Sequence, residues 1–129
     1  MIAVIDYGVG NLFSLKSSLD YTGLENIFTN NEKEIRNADA LILPGVGAFR
    51  DAIGILDKTG LGNIIKEEAG KGKMILGICL GMQLLFEKSF EYGEHKGLGI
   101  INGDIVSIKN DLADKKLKVP HMGWNSLEF

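Results

Sequence analysis

The chain has 129 residues with 17 acidic and 14 basic side chains, enough for one domain with a core of its own, and its net charge of -3 argues against a partner held mainly through a phosphate backbone. Nucleic acid is therefore not expected. One cysteine cannot close an internal disulfide, no secretory leader is recognised, and no apolar run reaches the ~18 residues of a membrane helix, so a cytoplasmic protein without a membrane partner is expected.

Residues 1–5 are apolar and β-branched and read as a strand. They run into Asp6-Tyr7-Gly8-Val9-Gly10-Asn11 and then into helical spacing at Leu12, Leu15 and Leu19, with Asn11 suited to cap the helix. The glycine loop invites a dinucleotide reading, but the third glycine of that fingerprint is missing at Phe13 and no matching acid follows, so neither cofactor nor metal is expected. Residues 25–29 read as a short strand, Asn30-Asn31 as a turn, residues 35–38 as a helical turn, and Ala40 to Leu43 as the next strand.

That strand meets Pro44-Gly45-Val46-Gly47-Ala48-Phe49. The proline stops the ladder, and the glycines let main-chain amides turn toward a ligand, although a routine strand-to-helix connection would look the same. A helix with Phe49, Ile53 and Leu56 on one face follows, then a second over residues 61–69.

The apolar run opening on Met74 reads as a fully buried strand, and the run after Gly81 as a helix packed back on it. At their join, Gly77-Ile78-Cys79-Leu80-Gly81 has the form Gly-x-nucleophile-x-Gly, in which a sharp turn lifts one side chain above the end of a sheet. The helix start supplies free amides that favour negative charge, and that of Leu80 is placed to hold an oxyanion once the sulfur attacks a carbonyl. A lone cysteine is more often a small buried hydrophobe; the glycines at both required positions favour the nucleophile.

Residues 89–93 and 98–99 read as loops, residues 104–108 as a strand and residues 110–118 as a charged turn with lysines on a solvated face. Val119-Pro120-His121-Met122-Gly123-Trp124-Asn125 comes close to the end. The alternation predicts an α/β fold: a parallel or mixed sheet flanked by helices on both faces, wound right-handed, with ligands outside the carboxyl ends of the strands. The loops at Asp6, Pro44 and Cys79 should converge there.

Taken together, the Asp6-Tyr7-Gly8 and Gly10-Asn11 segment, the Pro44 to Phe49 turn, the cysteine elbow with Met82-Gln83-Leu84-Leu85-Phe86, Gly97-Leu98-Gly99 and Pro120 to Asn125 resemble the class I glutamine amidotransferases. The first and last of these segments are similar to the branch that serves histidine biosynthesis. The resemblance implies a flavodoxin-like glutaminase fold in which Cys79 attacks the side-chain amide of glutamine and forms a thioester. It further implies that Gly45, Val46, Gly47 and Leu80 hold the oxyanion, that Gln83 contacts the substrate, and that Asn11, Met122 and Trp124 face a cyclase subunit. That subunit would be a (β/α)8 barrel receiving the ammonia in a heterodimer.

The family completes its triad with a His-x-Glu motif near the C-terminus. Here His95 leads to Gly97 and His121 to Gly123, so neither is assigned as the base. The expectation is one glutamine amidotransferase domain over residues 1–129, incomplete at its C-terminus with the last strands missing and nearly inactive alone. The alternatives are a non-catalytic, partner-binding glutaminase-like module and the glutaminase of another amidotransferase.

Overall fold

The computed structural model describes residues 1–112, 116–126 and 128. Strand β1, Ile2–Ile5, leads to helix α1, Leu12–Thr22, which starts where Asn11 Oδ1 accepts the Ser14 amide proton at 3.2 Å. Strand β2, Asn26–Thr29, leads to helix α2, Glu32–Asn37, capped in the same way by Asn31 on the Lys33 amide at 2.9 Å. Strand β3, Ala40–Leu43, is followed by helices α3, Phe49–Thr59, and α4, Leu61–Gly70, and by strand β4, Met74–Gly77. These strands form one parallel sheet in the order β2-β1-β3-β4, the expected α/β arrangement.

Pleating sends alternate side chains to opposite faces. Ala3, Ile5, Leu41 and Leu43 enter a core shared with Ile35 of α2, Phe49, Ile53 and Leu56 of α3, and Leu61 and Ile65 of α4. Val4 and Ile42 point the other way and meet Leu19 of α1. One helix does not span four strands, and on that face Met74 and Leu76 of β4 are 74% and 57% exposed. The expectation of a fully buried strand is corrected: among the described residues β4 is an edge strand, paired only with β3 in this sheet, and of its apolar side chains Ile75 is the one that packs against the core.

The chain after the elbow also departs from expectation. The run from Gly81 to Phe86 is helical only within α5, Leu80–Leu84; strand β5, Phe86–Ser89, follows at once. It joins β6, His95–Lys96, and β7, Ile101–Ile105, in a second sheet of order β6-β5-β7. The physical reason lies in the carbonyls of Leu84 and of Leu85, the residue that caps α5. Leu84 O accepts the Leu98 amide at 2.8 Å, and Leu85 O accepts those of Ile100 and Ile101 at 2.8 and 2.9 Å, so distant chain takes the place of a further helical turn. Gly97 approaches so closely that a Cβ there would lie 2.2 Å from Phe86 O, and Leu98, 4% exposed, ties the small sheet into the main core. The strand expected over residues 104–108 is shifted to Ile101–Ile105, and Ile108–Asn110 is a 3₁₀ turn. Ala113, Asp114 and Lys115 of the expected charged turn lie outside the described residues.

Candidate active site

The loops leaving the carboxyl ends of β1, β3 and β4 meet, as that end of a parallel sheet favours. A Cβ on Gly81 would lie 1.8 Å from Leu43 O, one on Gly77 2.4 Å from Met82 Cα, and one on Gly45 2.7 Å from the Gly81 nitrogen. No L side chain fits at these places, which explains glycine on both sides of the cysteine. The β1 loop joins through Tyr7, whose buried hydroxyl donates to Pro44 O at 2.8 Å, and through Gly10 against the Pro44 ring.

Cys79 is exposed and adopts φ 55°, ψ −117°, outside the regions open to most L residues. Such a conformation costs about 1–3 kcal/mol and persists only where the surroundings impose it. Here the Ile78 amide donates to Leu43 O at 3.0 Å and the Met82 amide to Cys79 O at 3.0 Å, clamping the turn between β3 and α5. A small buried hydrophobe is excluded by the exposure of the residue. The helix behind it is short, so the local amides rather than a long helix dipole set the field at the sulfur.

Leu80 is buried and opens α5, which leaves its amide without an acceptor inside the helix. Gln83 lies one turn further on and lines a cavity of about 250 Å³ with Phe90, Glu91 and Ile105. Gly45 is buried against the elbow, whereas Val46 and Gly47 form the exposed crest of the turn. Thus Cys79, Leu80, Gln83 and residues 45–47 share one region. Asn11 caps α1 with an exposed side chain, and Met122 and Trp124 are 86% and 103% exposed on the C-terminal segment. There His121 Nε2 lies 2.7 Å from Asn125 Nδ2, while His95 is half-buried in β6.

Two residues not singled out from sequence join the site. Tyr7 ties the β1 loop to the proline turn, and burial pushes its hydroxyl up to about 12, keeping it a donor. Its signal was an aromatic hydroxyl inside a segment already expected to converge. Glu91 Oε2 accepts the Phe49 amide at 2.8 Å, capping α3 where Ala48 has no side-chain oxygen to do so. Nothing local marks Glu91, because its partner lies 42 residues away. Among the described residues no helix is long and apolar enough to cross a membrane, and no group of three or more His, Cys, Asp or Glu is placed to hold a metal ion.

A parallel sheet whose edge strand turns sharply into a helix, with an exposed and strained thiol at the bend, defines an α/β protein with a nucleophile elbow. Residues 2–120 match the CobB/CobQ-like glutamine amidotransferase domain, and the chain belongs to that family. It is 56% identical over 127 residues to the imidazole glycerol phosphate synthase subunit HisH of Caldanaerobacter subterraneus, covering 98% of this chain and 60% of that protein. It is 50% identical over 130 residues to the subunit of the same name from Bacillus subtilis, covering 100% of this chain and 61% of that one. The chain thus spans about three-fifths of the length of these curated relatives. A solved structure described as a glutamine amidotransferase superposes with a TM-score of 0.69 at 21% identity, over 80% of this chain and 54% of the other, a likeness of fold.

Proposed function

We propose that this chain carries the nucleophile of a glutaminase that supplies ammonia for imidazole glycerol phosphate formation in histidine biosynthesis, in the cytoplasm and beside a (β/α)8 barrel cyclase. The observation that carries this reading is the exposed Cys79 at a strained bend with the Leu80 amide beside it, in a chain about half identical to HisH subunits.

In this mechanism the Cys79 thiolate attacks the side-chain amide carbon of glutamine, and the carbonyl electrons move onto oxygen. The amides of Leu80 and of the Gly45-Val46-Gly47 turn receive that charge, with the carbonyl seated between the two turns. Collapse of the tetrahedral species breaks the C–N bond, and the nitrogen leaves as ammonia once it gains a proton. Water then attacks the γ-glutamyl thioester, releasing glutamate and restoring the thiol. Gln83, which lines the cavity beside α5, contacts the bound glutamine.

Neither His95 nor His121 has an acid two residues on, so neither is assigned as the group that shuttles the proton. Its help is worth typically ~10²–10⁴-fold, and the chain alone is correspondingly slow. Asn11, Met122 and Trp124 form the face offered to the cyclase; the exposed Met122 and Trp124 are of the kind that anchor interfaces.

The test is glutamate release from glutamine by the subunit assembled with its cyclase, for the native sequence and for Cys79→Ala. Loss of at least about 10³-fold in the variant is expected. Equal rates would remove Cys79 from the reaction, and cyclase binding without any glutamine turnover would leave only a partner-binding module.

A further inference from the structure

Oxyanion stabilisation depends on where main-chain amides point, and a misplacement of about 1 Å can cost a factor of ~100 in rate. The crest of the proline turn has little packing to set that direction: Val46 is 51% exposed, and a Cβ on Gly47 would meet nothing within 4 Å. Its position is therefore set by its ends. At the far end the Glu91 carboxylate holds the Phe49 amide. At the near end Pro44 has no N–H to tether, so only its carbonyl can be held, and Tyr7, 37 residues earlier, holds it. A peptide unit is planar, so fixing the Pro44 carbonyl also fixes the direction of the Gly45 N–H and the start of the path to Val46.

We propose that the Tyr7 hydroxyl is a positioning group for oxyanion stabilisation, holding the peptide plane between Pro44 and Gly45 so that the following amides face the Cys79 sulfur. This rests on the glutaminase reading above and adds a residue to it. The bond its hydroxyl makes is to Pro44 O. It acts through the backbone of the turn.

Cys79 is the one cysteine of these 129 residues, and mass spectrometry of the peptide that carries it reads the adduct at that site. The thiolate adds to the ketone of a chloroketone analogue of glutamine and places negative charge on its oxygen; the sulfur then shifts to the adjacent carbon, breaking its bond to the carbonyl carbon and expelling chloride, and the ketone re-forms. Iodoacetamide is displaced directly and needs no oxyanion donors. In Tyr7→Phe, which keeps the ring, the chloroketone rate is expected to fall about tenfold while the iodoacetamide rate is unchanged. Tyrosine fluorinated on the ring at position 7, which keeps the donor, should show the ratio of the native chain. An unchanged ratio in Tyr7→Phe, a parallel fall with both reagents, or a fluorotyrosine ratio as low as that of Phe would overturn the role of Tyr7 alone. With the subunit assembled with its cyclase, a native sequence that reacts no faster with the glutamine analogue than with iodoacetamide would overturn the glutaminase reading itself, and this inference with it.

Discussion

At the elbow, three glycines and one strained cysteine are fixed by a close fit between backbones. The 1.8 Å approach of a Cβ on Gly81 to Leu43 O is to a backbone atom, which no rotamer change relieves. Gly81→Ala should therefore cost at least the upper end of the 1–3 kcal/mol typical of overpacking, read as a fall in the urea midpoint. The cysteine predicts an opposite ordering. At φ 55° and ψ −117° glycine is relaxed and alanine is not, so Cys79→Gly should be about 1 kcal/mol more stable than Cys79→Ala by urea unfolding. An equal pair would mean that the bend stores no strain.

Among the elements, β4 has the most unusual surroundings. It carries the nucleophile turn at its carboxyl end, yet among the described residues it lies at the sheet edge with Met74 and Leu76 largely exposed beside Ile2 and Ile42. An edge strand with an apolar face invites pairing with another chain. The 129-residue chain is expected to self-associate as its concentration rises, and Leu76→Lys to suppress this without loss of secondary structure, as followed by sedimentation and circular dichroism. Helix α3 is the opposite case. Phe49 at its start is 0% exposed in the main core, and Phe49→Ala should cost about 3–5 kcal/mol in urea unfolding.

Across the molecule, one buried carboxylate joins elements that are far apart in sequence. Glu68 of α4, 3% exposed, accepts from Lys71 at 2.6 Å and Arg36 of α2 at 3.0 Å and lies 2.8 Å from the Lys73 ammonium just before β4. Lys73 also donates to Ile35 O and Arg36 O at 2.9 and 2.7 Å, closing the end of α2. The hydrogen bond from Lys71, then that from Lys73, holds the Glu68 carboxyl down at about 2, against an ordinary 4.5. A carboxyl lowered on folding contributes stability that is fully present above 4.5 and is lost as pH falls toward 2. The urea midpoint should drop across that window, and Glu68→Gln should lower it at neutral pH and flatten the drop.

Much of the molecule was legible in the order of its residues, because the features concerned depend on near neighbours in the chain. Short apolar runs marked β1, β2 and β3, the spacing of Phe49, Ile53 and Leu56 marked α3, and the paired glycines around Cys79 marked a tight bend. Three features were decided only by distant parts of the chain. Met74 and Leu76 are exposed because α1 covers only part of its face of the sheet, and α5 stops where the segment after Gly97 takes its last carbonyls. Tyr7 and Glu91 reach the proline turn from 37 and 42 residues away. Local patterns determine which element forms, but burial at an edge and a hydrogen bond across loops follow from how the elements are placed in space, which the order of residues does not state.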